Sequence, residues 1–153
     1  MKAVVQRVSE ASVTVGAETV GAVGKGLLVL LAVEKGDGLR EIDRMARKIA
    51  GLRLFPDERG RMHHSVRDVG GAVLVVSQFT LAANLDKGFR PSFDGAELPE
   101  QACRMFDLFC QRLMAEGLVV ATGRFAADMR VSLVNDGPVT FIVAFEAEGD
   151  EVR

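Results

Sequence analysis

The chain has few of the residues that form disulfides or bind metals: only two of its 153 residues are cysteines and two are histidines. Cys103 and Cys110 lie in one predicted helix, roughly 10 Å apart along its axis, which is too far for a disulfide. We interpret both as small buried hydrophobic residues. His63 and His64 are adjacent, with no cysteine and no H-x-x-x-H pair beside them. We therefore expect them in a solvated loop rather than at a metal.

Long apolar runs and a strong net charge are also missing. The longest apolar run, 27–33, is far shorter than the roughly 20 residues that span a bilayer. Gln6, Arg7 and Glu10 interrupt the N-terminal run, so we expect no signal peptide. We therefore expect a cytoplasmic protein with no membrane partner. The formal charge is −2, so a nucleic acid would have to be bound locally rather than through bulk charge.

The length fits one domain, 1–153, and the composition is that of a folded protein, with 48% hydrophobic residues. Ile42, Met45, Ala46 and Ile49 follow helical spacing in a predicted helix at 39–51. A second helix is predicted at 99–117, where Pro99 suits a first helical position. The predicted strands are 12–15, 19–23, 27–33, 52–55, 72–79, 119–122, 131–135 and 139–146, and Arg7 is placed in an N-terminal strand. Two helices and about eight strands predict a single α/β or α+β domain dominated by sheet. The polar tail, 147–153, is predicted to fray.

Familiar catalytic motifs are absent. The stretch 21–26, GAVGKG, lacks the spacing of a phosphate-binding loop, and a hairpin turn explains it better. The sequence contains no G-x-S-x-G elbow and no dinucleotide fingerprint. We expect no cofactor and no metal. An enzyme with this sequence must use neutral side chains and backbone groups.

Two polar clusters stand where strands are predicted to end or begin. Ser77, Gln78 and Thr80 close the apolar run that starts at residue 72, and NDGPVT occupies 135–140. Polar groups at the end of a core strand are costly unless they are hydrogen-bonded, and a strand end that opens into a loop often carries a site. Taken alone, the first cluster also fits a strand end whose hydroxyl groups are hydrogen-bonded, and the second also fits a hairpin turn.

SQFTL at 77–81 and NDGPVT at 135–140 resemble the two signature motifs of the D-aminoacyl-tRNA deacylases. MKAVVQRV at 1–8, KGFRPSF at 87–93 and GRFAADM at 123–129 are also similar to that family in order and spacing. The resemblance implies a compact β-barrel-like sheet with flanking helices, and a homodimer. The implied activity is hydrolysis of the ester in D-aminoacyl-tRNA, and in mischarged glycyl-tRNA, at the 3′-terminal adenosine. Such an enzyme would proofread the chirality of the amino acid.

The resemblance assigns the catalytic floor to Ser77, Gln78, Phe79 and Thr80. Backbone N–H groups around Phe79 and Thr80 are then expected to meet the substrate carbonyl. The Gly137-Pro138 pair of the other subunit is expected opposite, with a cis peptide bond, where it crowds the space of an L side chain.

Several residue roles stay open at this point. Thr80 either positions the substrate, helped by the 2′-hydroxyl of the tRNA, or acts as a nucleophile, although no base in its motif would activate it. Arg7 either braces the Gly137-Pro138 motif or is a solvated strand residue.

The remaining candidates carry similar alternatives. Phe125 and Met129 either line the pocket or pack in the core. Lys87 and Arg90 either meet tRNA phosphates or lie in a solvated loop.

Two other functions would use the same features. A non-catalytic module that binds the 3′ end of RNA would occupy the same cleft and hydrolyse nothing. A Thr80-dependent hydrolase of small esters or amides would act on substrates that lack tRNA.

Overall fold

The computed structural model describes residues 1–148 and contains eight strands, two α-helices and one 3₁₀ turn. The strands are β1 (Lys2–Val15), β2 (Glu18–Val23), β3 (Gly26–Ala32), β4 (Phe55–Pro56), β5 (Met62–His64), β6 (Ala72–Ser77), β7 (Val119–Thr122) and β8 (Arg130–Ala144). The helices are α1 (Leu39–Gly51) and α2 (Pro99–Ala115), and the 3₁₀ turn is Phe79–Ala82.

Six strands form one mixed sheet around the long strand β1. Strands β2 and β3 pair end to end along one edge of β1, where Ala11 is opposite Val23 and Val8 is opposite Gly26. Strand β8 pairs antiparallel with β1 over almost its whole length, so it must occupy the other edge. Strands β6 and β7 extend the sheet beyond β3 in parallel. The predicted central strand at 27–33 is therefore confirmed as β3, between β1 and β6.

The sheet curls until its far strands come close together. At Gly21 in β2, a Cβ atom would lie 2.3 Å from the carbonyl oxygen of Thr122 in β7. Only a residue without a side chain permits this approach. The result is a nearly closed, barrel-like sheet with two helices, as predicted.

Both helices pack on one face of this sheet, and a smaller core fills the other. Ile42, Met45 and Ile49, which share one face of α1, are fully buried, as are Phe109 and Leu113 of α2. They belong to the larger cluster, together with Val29 and Val75 of the sheet. The smaller cluster comprises Val8, Ala11, Val13, Leu28, Leu74 and Val76.

Two strands join segments that the sequence predicts separately. Strand β1 begins at Lys2 and continues the N-terminal strand expected around Arg7 into the strand expected at 12–15. Its Gln6 donates to Thr140 Oγ1 and its Arg7 donates to two main-chain carbonyls, so these side chains need not leave the sheet. The predicted strands 131–135 and 139–146 merge into β8, which ends at Ala144, two residues before the predicted end.

Three shorter segments also differ from the prediction. The strand expected at 52–55 is limited to Phe55–Pro56, because the Leu52 N–H donates to Lys48 O and caps α1. The strand expected at 72–79 ends at Ser77, where the 3₁₀ turn follows. His63 and His64 lie in β5, not in a loop, because β5 pairs with β4.

Both cysteines are free thiols. Burial, reinforced by Asp107, raises the pKa of the Cys110 thiol to about 12, so Cys110 behaves as the predicted buried hydrophobic residue. Cys103 is only half-buried. Among the helices of the described range, none combines the length and the apolar character needed to cross a membrane.

The contact between β2 and β7 gives a test of the curled sheet. Gly21→Ala places a methyl group against the Thr122 carbonyl, and we expect a loss of about 1–3 kcal/mol in the free energy of unfolding. Gly24→Ala is the matched control, because a Cβ at Gly24 meets nothing within 4 Å. Urea unfolding of both variants measures the difference. Equal stability of the two variants would contradict the close approach of these strands.

Candidate functional site: a strand end and a glycine-proline turn

The first part of the candidate site is residues 77–80, which we call the floor segment. The Gln78 N–H donates to Leu31 O at 2.8 Å and so extends the β3–β6 ladder by one residue beyond Ser77. The chain then turns, and the Leu81 N–H donates back to Gln78 O at 3.2 Å. The floor segment is therefore fixed to the buried sheet at one end and open to solvent at the other.

The floor segment presents backbone donors and neutral side chains. Within residues 1–148, no hydrogen bond is made by the N–H groups of Phe79 and Thr80, which are the first two of the 3₁₀ turn. Gln78 Nε2 donates to Thr80 Oγ1 at 2.5 Å and orients the hydroxyl group. The Phe79 side chain is 56% exposed, and its ring contacts that of Phe93 edge to face. The segment thus holds a pair of free donors and no ionisable side chain.

The second part is residues 136–139, which we call the Gly-Pro turn. It bulges out of β8, because Gln6 of β1 is opposite Thr140 while Val8 is already opposite Asn135. The Gly137-Pro138 peptide bond is cis, and Gly137 has a φ of 142°. Asn135 closes the turn: its Oδ1 accepts from the Val139 N–H at 3.0 Å, and its Nδ2 donates to Thr140 Oγ1 at 2.9 Å.

Arg7 lies directly behind the Gly-Pro turn. Its Nε donates to Asp136 O at 3.0 Å and its Nη1 donates to Leu54 O at 2.6 Å. The side chain is only 12% exposed, so it is not a solvated strand residue. A Cβ at Gly137 would lie 2.7 Å from Val139 Cγ2 and 3.3 Å from Arg7 Nη2. The turn is therefore packed tightly enough to exclude any side chain at position 137.

One chain does not bring the floor segment and the Gly-Pro turn together. Ser77 shares a row of the sheet with Leu31, Ala3 and Val143, whereas the Gly-Pro turn lies opposite Arg7. Four residues along β1 correspond to about 13 Å, and the three strand spacings from β6 to β8 correspond to about 14 Å. The two motifs thus lie at distant places in the sheet.

Phe125 and Met129 occupy core positions. Phe125 packs against the larger core, with its ring 6.1 Å from that of Phe106. Met129 packs against the smaller core, and its Sδ lies 2.7 Å from where a Cβ at Gly123 would be. Both side chains are half-buried. The Gly123 N–H donates to Val75 O at 3.1 Å, so this segment starts beside the end of β6.

Lys87 and Arg90 lie in an exposed loop after the floor segment. The loop is closed by paired backbone hydrogen bonds between Asn84 and Ser92, of 2.7 and 3.0 Å. Phe89, between the two cations, is fully exposed. Neither cation has an ion-pair partner in the part of the chain that the structure describes.

Sequence reasoning missed one contributor, the carbonyl of Leu54, because a backbone acceptor leaves no mark in a side-chain pattern. As for metals, His, Cys, Asp and Glu side chains within residues 1–148 form no group of three or more that could hold an ion.

A family model and several known proteins match this chain over most of its length. The family model described as D-Tyr-tRNA(Tyr) deacylase matches residues 4–144. A D-aminoacyl-tRNA deacylase of Magnetococcus marinus is 62% identical, over 92% of this chain and 93% of its own. One of Aeromonas hydrophila is 57% identical, over 92% of this chain and 97% of its own.

Two solved structures share the fold. One, titled c-Myc DNA Unwinding Element Binding Protein, is 44% identical and superposes with a TM-score of 0.90, covering 96% of this chain and all of its own. The other, titled as a probable eukaryotic D-amino acid tRNA deacylase, has a TM-score of 0.80 at 14% identity, covering 93% and 97% of the two chains. From the family model and the identity to its relatives, the chain belongs to the D-Tyr-tRNA(Tyr) deacylase family.

Proposed function

We propose that this protein is an enzyme that hydrolyses the ester between a D-amino acid and the 3′-terminal adenosine of tRNA. The products are the free D-amino acid and tRNA. The observation that carries the proposal is the pair of unpaired backbone N–H groups at Phe79 and Thr80, in the floor segment of a chain from this family. We place the reaction in the cytoplasm, where aminoacyl-tRNA is used.

The chemistry needs few protein groups. When water adds to the ester carbonyl, negative charge develops on the carbonyl oxygen, and two fixed N–H donors stabilise it. The 3′-oxygen of the ribose then leaves with the electrons of the ester bond and takes up the proton that the attacking water gives up. The neighbouring 2′-hydroxyl of the substrate assists by hydrogen bonding to the leaving oxygen. Positioning and oxyanion stabilisation thus take the place of an ionisable catalytic residue.

Thr80 is a positioning residue in this mechanism. The side-chain amide of Gln78 donates a hydrogen bond to Thr80 Oγ1. This bond fixes the orientation of the hydroxyl group, but an amide N–H cannot accept the hydroxyl proton. Ser77 and Gln78 contribute by holding the end of β6, and Phe79 by its backbone N–H. A nucleophilic Thr80 would require a neighbouring base, and the floor segment contains none.

A second copy of the chain supplies the Gly-Pro turn in this proposal. Strand β8 is a 15-residue edge strand, and half of its backbone groups point away from β1. Val134, Phe141 and Ile142 on it are 48%, 42% and 77% exposed. A long, apolar, exposed edge is suited to an isologous contact between two identical chains. We therefore infer a homodimer.

A row of residues on one face of the sheet connects the exposed edge of β8 with the floor segment. Ile142 is opposite Val4, Val4 is opposite Leu30, and Leu30 is opposite Val76, which stands two residues before Gln78. Residues opposite one another share a face, so a partner covering β8 also reaches the end of β6. This supports a site with its floor from one chain and its Gly-Pro turn from the other.

The Gly-Pro turn then selects the amino acid by exclusion. A rigid backbone surface opposite the floor leaves no room for an L side chain, whereas a D side chain points away from it. Glycine has no side chain to exclude, so we propose that mischarged glycyl-tRNA is also a substrate. Phe125 and Met129 support the pocket from the core side. Lys87 and Arg90 bind tRNA phosphates near the entrance.

The proposed activity is tested with matched tRNAs carrying D-tyrosine, L-tyrosine or glycine. We expect many turnovers of the D-tyrosyl and glycyl esters and no release of L-tyrosine above the spontaneous rate. Stoichiometric protection of the ester would instead indicate an RNA-end binding module. Equal turnover of small D-amino acid esters that lack RNA would indicate a simple esterase.

Two substitutions at residue 80 separate the roles of its hydroxyl and its N–H. Thr80→Ala keeps the N–H, and we expect it to retain at least about a tenth of the single-turnover rate. Thr80→Pro removes the N–H at a position in the first turn of a helix, where proline is tolerated, and we expect a loss of about 10²-fold or more. Circular dichroism checks that both variants fold. An inactive Thr80→Ala, or an acyl group trapped on Thr80, would show a nucleophile.

Mixed dimers test the contribution of the second chain. We expect Thr80→Pro and Gly137→Ala each to be inactive alone, the latter because a Cβ at Gly137 meets Val139 and Arg7. After the two variants exchange subunits, a mixed dimer has one site with both lesions and one with neither. Activity should return to roughly a quarter of wild type if exchange is random. Verified heterodimers that stay inactive would show that each site is built within one chain.

A further inference from the structure

The C-terminal end of α1 carries a groove lined by Arg47, Lys48, Gly51, Leu52 and Arg53, which we call the basic groove. Its volume is about 450 Å³. The three cationic side chains are exposed, and none makes an ion pair or side-chain hydrogen bond within residues 1–148. By contrast, Arg40 on the same helix pairs with Glu148, and Arg104 on α2 pairs with Glu100. The basic groove thus concentrates uncompensated positive charge.

The position of the basic groove connects it to the candidate site. Arg53 immediately precedes Leu54, whose carbonyl accepts a hydrogen bond from Arg7. The same guanidinium group donates to Asp136 O at the start of the Gly-Pro turn. The Arg7 side chain therefore holds the basic groove and the Gly-Pro turn next to each other.

Helix geometry alone does not account for these charges. A cation in the last turn of a helix is favoured by the helix dipole, and Lys48 fits that explanation. Arg53, however, lies beyond the C-cap residue Leu52 and outside the helix. The nearby carboxylate of Asp43 is engaged by Arg112, and that of Asp57 accepts from the N–H groups of Arg59 and Arg61. Neither is free to neutralise the groove.

We propose that the basic groove binds backbone phosphates of the tRNA strand that ends in the aminoacylated adenosine. This inference rests on the proposed function. An RNA strand whose last residue lies against the Gly-Pro turn must pass the adjoining surface, and arginine forks pair well with phosphate oxygens. With the Gly-Pro turn acting on the partner's floor, the basic groove of one chain and the loop of Lys87 and Arg90 of the other hold the RNA from two sides.

The test compares two double variants that remove the same amount of charge. R47Q/R53Q neutralises the basic groove, and R40Q/R104Q neutralises two exposed arginines that lie elsewhere on the helices. For R47Q/R53Q we expect kcat/KM on D-Tyr-tRNA to fall about five- to tenfold at low salt, mostly through KM. The slope of log kcat/KM against log salt should shrink by about 1.4, or 0.7 per lost phosphate. R40Q/R104Q should match wild type, and R47K/R53K should keep most of the affinity.

A second substrate separates this inference from the proposed function. D-tyrosyl-adenosine contains the ester but no phosphate, so R47Q/R53Q and wild type should hydrolyse it equally. If wild type is active on D-Tyr-tRNA but R47Q/R53Q and R40Q/R104Q have the same KM and the same salt slope, the basic groove does not bind RNA. If R47Q/R53Q also loses activity on D-tyrosyl-adenosine, the groove acts on the site itself and the inference is wrong. If wild type hydrolyses no D-Tyr-tRNA, the proposed function itself is wrong, and the inference that rests on it is wrong with it.

Discussion

The paired hydrogen bonds of Arg7 hold together the parts of the molecule that matter for the site. Its nearly buried guanidinium group joins the carbonyls of Leu54 and Asp136, which come from segments far apart in sequence. Without Arg7 the Leu54 carbonyl, which belongs to a buried residue, would lose a charge-assisted hydrogen bond, worth about 1.5–3 kcal/mol, and the exposed Asp136 carbonyl would lose the contact that positions the turn. Because Arg7 lies on β1, which is hydrogen-bonded along both of its edges, the Gly-Pro turn takes its position from the most extensively paired strand of the fold. An edge strand alone would leave that turn free to move.

A site without ionisable catalytic groups requires this degree of order. In the proposed mechanism, catalysis by backbone donors would depend on where the N–H groups of Phe79 and Thr80 point, and selection by exclusion would depend on where the Gly-Pro turn lies. Both are fixed by ladder hydrogen bonds or by buried side chains: Gln78 to Leu31 on one side, Arg7 to Asp136 on the other. The rigidity of the curled sheet is therefore part of the chemistry, since a displaced donor stabilises the oxyanion poorly.

How far the structure could be predicted from the sequence depends on whether the interacting residues are close together or far apart along the chain. Helix α1 and the central strand β3 were predictable, because hydrophobic periodicity is contained in a short stretch of chain. The full length of β1 was not, because the pairing that joins the N-terminal strand around Arg7 to residues 12–15 is made with β2, β3 and β8, which are other parts of the sequence. For the candidate site, the motifs at 77–81 and 135–140 pointed to two segments whose roles stay predictions. Their separation within one chain depends on strand register, which no local pattern contains.

The separation of the two motifs also allows affinity and selectivity to rest on different surfaces. A chain with a net charge of −2 attracts RNA only where its cations are grouped, and the basic groove is such a group. Phosphates are the same in every tRNA, so contacts there determine how tightly tRNA binds but not which amino acid is removed. The proposed steric exclusion by the Gly-Pro turn would act only on the amino acid. Because Arg7 fixes the groove beside the turn, RNA held by its phosphates would already have its aminoacyl end at the surface that tests chirality.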